Sequence, residues 1–480
     1  MDRTDIALNR FGLGARPGDR AKIGDPARWL KGQLTGWRPE IAGQQQLTTR
    51  GEIIGAINDL QGAVARGKAV DPKRSEDKAV KDTKTDLMAF SRIASRSYRD
   101  QVGLRLQSAV ETDAPFVERL VHFWANHFAV STEKQGVNAL AGLFEFEAIR
   151  PHVLGSFEQM LIAVEQHPAM LLYLDQVQSV GPNSIVAQRS AANGRKRGLN
   201  ENLAREIMEL HTLGVRSGYT QADVTQFAGA ITGWYIAGYG GGFADEDVTE
   251  ATGRFRFAQN MHEPGTRKIM GKDYPHPGLA QGIAVLKDLA ANPATAKHLA
   301  TKLARHFAGD DPPPALVNRL EQAWAKSGGD LPTVYAALID APESWVTKPV
   351  KFRTPWEWVV ASFRATGISP VAANEANQDR LERNFATMLT NLGQTVWRPG
   401  SPAGFDDIAA SWAGPDALVR RVEVAQQLAR RTPPATDPRA AARSLFGESL
   451  SKNTADVIAG AEGPQQGVSL LMVSPEMMRR

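Results

Sequence analysis

The sequence contains no cysteine. Disulfides, thiolate nucleophiles, cysteine-bound zinc and iron–sulfur clusters are therefore excluded. A transition metal would have to draw on nine histidines and on carboxylates. Long apolar runs are missing too: no stretch of about 18 such residues is present, so no helical membrane span is expected. The opening residues, Met1 to Gly12, carry neither an apolar core nor a small-residue cleavage site. That argues against a signal peptide and for a cytoplasmic location by default, or for export together with a partner. Nor does charge of one sign dominate. Fifty-six basic against 52 acidic residues leave +4, unclustered on any recognisable module, which argues against nucleic acid as a partner.

Familiar catalytic signatures are absent as well. No G-x-S-x-G occurs, which argues against a serine hydrolase of the α/β type. Neither H-E-x-x-H nor the E-x-x-H pair of di-iron bundles is found in the candidate helices. Ser75 to Lys78 matches S-x-x-K but lies in a stretch with almost no apolar residues, too few to build a core around it.

What is present is helical periodicity. The pattern predicts an all-α chain, mainly a helical bundle or array, in three regions. Residues 1–236 form an N-terminal helical region with a charged linker at 66–86. Residues 237–274 hold a Gly-rich loop and a small β-hairpin, and 275–480 form a C-terminal helical region. Leu87 to Glu111 reads as one long amphipathic helix. Asp113 is the expected cap of the next, with Pro115 in its first turn. Thr220 and Asp223 make a capping box. In the inserted region Arg254–Phe257 alternates with period two, and Arg267–Met270 is its expected strand partner.

The densest polar stretch runs from Asn200 to Val215. At about 100° per residue, Glu201, Asn202, Arg205, Glu209 and Thr212 share one arc. Glu201, Arg205 and Glu209 fall at i, i+4 and i+8, an ion-pair ladder. Glu206 lies at the edge of that arc, and His211 faces the opposite way among Ala204, Ile207 and Met208. In the Pro115 helix, His122 and Asn126 share a polar face with Glu118, whereas His127 falls among Phe116, Leu120 and Trp124. Two readings follow. Either these are a paired polar face and hydrogen-bonded core histidines, or His127 and His211 meet at a buried site with Glu206 and Glu209 as base or ligands. The sequence requires no cofactor; a divalent metal is the candidate such a set would hold.

Weaker patterns complete the survey. Asp245, Asp247 and Thr249 mimic the first positions of a calcium loop, but Glu250 and Arg256 replace its glycine and closing glutamate. Arg195 and Arg197, ahead of a helix start, form a candidate anion site whose bland alternative is a solvated loop. His262 in the inserted region is within reach of a site by position alone.

Taken together, Leu8–Gly14, Phe123–Phe128, His167–Asp175, Asn200–Val215, Gly218–Gln221, Thr232–Trp234, His262–Gly265 and Ser474–Glu476 carry a resemblance over nearly the whole length. The chain resembles the large bacterial family catalogued as domain of unknown function 1800. Ala125 stands where many relatives have a histidine. The resemblance implies a mostly helical fold and no secure activity, and it adds Trp234 to the candidate binding residues. Members are often encoded beside a sulfatase-like family, so it also implies a sulfatase-like partner. The favoured expectation is thus a binding or accessory factor. The alternative is an enzyme with a buried carboxylate–histidine site between residues 114–128 and 201–214, built from Asn126, His127, Glu206, Glu209, His211 and His262.

Overall fold

Amphipathic helices carry the chain. The computed structural model describes residues 1–68, 78–240, 252–349, 351–372 and 375–480. It is 63% helical, with 22 helices and two small antiparallel strand pairs among the described residues. The helices that matter for the site are α1 (Lys78–Glu111), α2 (Pro115–His127), α3 (Phe157–Glu165), α4 (Asn202–Glu206), α5 (Pro293–Ala308), α6 (Pro355–Thr366) and α7 (Pro415–Ala429). No described helix is long and apolar enough to cross a membrane.

Local sequence explains where these helices begin. α2, α5 and α6 each open on proline, whose fixed φ suits a first turn that needs no N–H. Thr354 and Glu357 form a capping box at α6, and Thr220 with Asp223 forms the expected one on Gln221–Ala230. Asp113 does not cap α2. Ala114 takes that position, and the Asp113 carboxylate instead meets the Arg16 guanidinium at 2.5 Å. α1 begins nine residues before Leu87, because lysine and alanine sustain a helix without apolar periodicity. The middle of the charged segment, 69–77, lies outside the described residues, as does the calcium-like pattern at 245–249.

The inserted region pairs differently from the expected hairpin. β1 (Trp234–Ile236) pairs with β2 (Phe255–Phe257), and β3 (Arg267–Ile269) pairs with β4 (Lys272–Tyr274), both antiparallel. Met270 and Gly271 both adopt positive φ, 48° and 81°, which is the geometry of a two-residue hairpin turn. That tight turn commits Arg267–Ile269 to the following residues and leaves Phe255–Phe257 to β1.

Beside a smaller cluster that gathers Leu8, Ala361, Leu445 and Leu471, the main apolar core draws on residues from Ile6 to Met478. Buried arginines stitch its distant parts together through backbone carbonyls, which satisfies charge without a carboxylate for each. Arg10 donates to the carbonyls of Ser344 and Lys348, and Arg364 to those of Gly14, Ala109 and Val110. The N-terminal residues are thereby fixed against the helices that build the site.

Candidate functional site

α2, α5, the start of α6 and the segment 394–408 enclose a cavity of about 330 Å³. α2 contributes His122, Asn126 and His127, α5 contributes Lys302 and His306, and α6 contributes Trp356 and Glu357. Phe123, Trp397 and Phe405 supply apolar wall. Apolar walls with a few convergent polar groups are the usual make-up of a small-molecule site.

The polar groups fall into three linked sets. In the first, Glu357 accepts from Arg480 at 2.9 Å and from Arg119, while its other oxygen accepts from the Thr354 N–H that it caps. Burial alone would raise this carboxyl, but Arg480 and Arg119 outweigh it and hold it well below the ordinary range. In the second, the Asp407 carboxylate receives His306 Nδ1 at 2.9 Å and the buried Lys351 ammonium at 3.0 Å. Burial again opposes, and His306 and Lys351 again win, so Asp407 stays ionised. In the third, Trp356 Nε1 donates to His122 Nδ1 at 3.2 Å, which leaves the His122 proton on Nε2.

Two buried nitrogens of wall residues, Arg119 Nη2 and His122 Nε2, make no hydrogen bond among the described residues, although Glu118 Oε1 lies 3.8 Å from His122 Nε2. Lys302 has no carboxylate within ion-pair distance among the described residues; its Nζ lies 2.9 Å from His127 Nδ1.

A change of helical pitch sets that last contact. α4 runs into a π-turn at Ile207–His211, which fits an extra residue into the turn and frees carbonyls at its end. His127 Nε2 donates to the freed His211 carbonyl at 3.2 Å, and His298 Nε2 lies 3.3 Å from that of Leu210. A nitrogen facing a carbonyl must carry the proton, so His127 Nδ1 is the lone-pair side and accepts from Lys302. The His211 ring is held in turn by Glu165 of α3, Nδ1 to Oε1 at 2.7 Å, with both groups buried.

The other expected site residues lie elsewhere. His127 and His211 do meet, with ring centroids 6.2 Å apart. Glu209 pairs with Arg205 at 3.5 Å and Glu201 with Arg205 at 3.1 Å, the expected ladder. Glu206 is half-buried, and burial raises its carboxyl; it has no hydrogen-bond or ion-pair partner among the described residues and does not line the cavity. Asn202 is exposed on the outer face, its N–H donated to the Asn200 side chain. Asn126 spends its amide on the Phe405 backbone, at 2.9 and 2.8 Å. Trp234 is fully buried against Phe255, and His262 Nδ1 lies 3.0 Å from the Thr232 carbonyl. Arg195 and Arg197 line a separate groove with Arg189 and Tyr235.

Sequence reasoning missed Lys302, His306, Lys351, Glu357, Asp407 and Arg480. One signal was available: His298, Lys302 and His306 recur every four residues along α5 and so share a face. For a metal, one group of three carboxylates is close enough among the described residues, Asp100, Asp379 and Glu382, and it includes no expected site residue.

The buried histidines make stability pH-dependent. Burial, followed by nearby cations, holds His122 and His127 well below their ordinary titration. The folded state then binds fewer protons than the unfolded chain below about pH 6.5, so stability falls as pH drops through that point. Each such imidazole costs about 2 kcal/mol between pH 7 and pH 5. Urea unfolding at the two pH values should show the loss, and His122→Gln should shrink it by about 2 kcal/mol. An unchanged difference in the variant would contradict the assignment.

The family model described as protein of unknown function (DUF1800) matches residues 6–479. No curated protein and no solved structure matches the chain.

Proposed function

We propose, for a chain that belongs to the family described as protein of unknown function (DUF1800), that the cavity binds a small anionic molecule and performs acid–base chemistry on it. One observation carries this reading. Among the described residues the buried Arg119 Nη2 has no acceptor, His122 Nε2 reaches none closer than Glu118 Oε1 at 3.8 Å, and the lysine on the same wall has no carboxylate in ion-pair range. An unpaired buried donor costs about 1–3 kcal/mol, and an anion placed among the three would recover it. His306, oriented by Asp407, and Lys302, contacting a neutral His127, supply groups able to exchange protons with such a ligand. Glu206 and Glu209 have no part in this reading.

Thermal unfolding in phosphate, sulfate, acetate and pyruvate at constant ionic strength tests it. At a concentration near 100 times Kd, a binding anion should stabilise by about 2.7 kcal/mol. Lys302→Met should abolish that gain. Equal gains in both proteins, or none from any anion, would overturn the proposal.

A second reading retains the sulfatase-like partner implied by the family resemblance. Exposed Leu418, Val419 and Val422 on α7 favour a protein contact there. Purification under native conditions from the source cell tests it: a stoichiometric sulfatase-like companion supports this reading, and repeated recovery of the chain alone counts against it.

A further inference from the structure

We infer that the Lys302 amine forms an imine with the carbonyl carbon of an α-keto acid bound in this cavity. The inference rests on the reading of the cavity as an anion site and goes beyond it by assigning a covalent step.

Geometry comes first. Lys302 is the one lysine among the residues that line the cavity. The other lysine of the polar sets, Lys351, is tied to acids and meets Asp310 at 2.9 Å and Asp407 at 3.0 Å. Lys302 meets an imidazole lone pair instead, 2.9 Å away on α2. Around it stand His298 and Arg305 on its own helix and His127 on α2, with Asp407 as the acid of the 394–408 segment. Burial and Arg305 favour the neutral amine, Asp407 opposes, and the outcome is a lysine drawn down to about 8. A desolvated lysine beside other cations is the arrangement that activates amines toward carbonyl groups. At pH 7 such an amine is neutral in about a tenth of molecules, against about one in 3,000 for an ordinary lysine.

The chemistry balances without a further reactant. The Nζ lone pair adds to the carbonyl carbon, and the carbonyl π pair moves to oxygen. His127 Nδ1 takes a proton from the nitrogen and returns it to that oxygen, giving a carbinolamine. The nitrogen lone pair then closes the C=N bond as the protonated hydroxyl leaves as water, and the second nitrogen proton departs in that water. Amine plus ketone thus become imine plus water. A carboxylate next to the ketone would give Arg119 Nη2 the acceptor it lacks among the described residues, and His122 Nε2 one closer than Glu118 at 3.8 Å. That selects an α-keto acid over a neutral ketone.

Reductive trapping tests the inference on the full chain. The protein is incubated separately with pyruvate, glyoxylate and 2-oxoglutarate in cyanoborohydride, with acetone as the neutral control, and then mapped by peptide mass spectrometry. At least one keto acid should modify Lys302 at least about ten-fold faster than any other lysine, with a rate that rises through pH 8. Acetone should react weakly, and phosphate should compete. Lys302→Arg should remove the adduct, and His127→Asn should slow its formation at unchanged site selectivity. Adducts spread over surface lysines, or none from any keto acid while phosphate still stabilises the wild-type protein, would overturn the imine and leave the anion site standing. If phosphate and keto acids both fail to bind, both readings fall together.

Discussion

Glu357→Gln should destabilise the protein by about 3–5 kcal/mol, the cost of stripping the carboxylate from a buried ion cluster. The substitution keeps shape and removes one charge. Arg119 and Arg480 are each at most 1% exposed, so neither guanidinium can turn to water when its counter-charge goes. Arg353 is buried nearby and adds to the uncompensated positive field. The new amide would also point an N–H at a guanidinium, a donor facing a donor. Urea unfolding gives the cost as a shift in midpoint at constant slope. Because the folded-state carboxyl lies below its ordinary value, its contribution is full above about pH 4.5 and declines as pH falls further. The gap between the two proteins should therefore narrow below pH 4.5. Adding Arg119→Met to Glu357→Gln removes one stranded cation and should recover part of the loss; a strictly additive double variant would show that the pair is uncoupled.

That cluster also shows why part of the site was legible in the sequence and part was not. Helix class followed from apolar spacing, and the opposed faces of the Asn200–Val215 stretch followed from angle alone. Both predictions needed only residues a few positions apart. The meeting of His127 and His211 was inferable because each histidine lay on an apolar arc of its helix, and such arcs pack against one another. The π-turn was not inferable, since widening one turn responds to tertiary contacts such as His127 and His298 on the freed carbonyls. Nor could Glu357, Asp407 and Arg480 be read as partners of α2 and α5. The contacts that join them span from 101 to 238 residues of sequence, and each carboxylate looks like an ordinary cap or loop acid in isolation. The hairpin pairing failed for a related reason: a Met-Gly turn lacks the Asn-Gly or Asp-Gly signature yet adopts the same backbone.

The second large effect is expected at Gly404, in the segment that closes the cavity. Gly404 has φ 85°, a left-handed conformation that costs an alanine about 1–2 kcal/mol before any contact. An added methyl would also overlap the Asn126 backbone carbonyl oxygen. α2 is held by its own ladder and a packed core, so the helix will not yield, and relief must come from the segment. What holds the stretch beside Gly404 is modest: two hydrogen bonds between the Phe405 backbone and the Asn126 amide, at about 1 kcal/mol each, and the Asp407 contacts with Lys351 and His306, while Trp397 on Glu145 anchors the start of the segment separately. Strain and overlap together rival that sum, so Gly404→Ala should undock the segment while the helices remain folded. Asp407 would then leave His306, and Phe405 would leave the cavity wall. Phosphate affinity should fall at least about ten-fold, equivalent to the loss of roughly 1.4 kcal/mol or more. Hydrogen exchange should accelerate around residues 399–412 and stay slow in α2 and α5. Asn126→Ala removes the clamp from the other side and should weaken binding in the same direction, without strain at Gly404. Wild-type phosphate affinity in Gly404→Ala would mean that the 394–408 segment is not part of the binding wall, and the ligand would then have to be held by α2 and α5 alone.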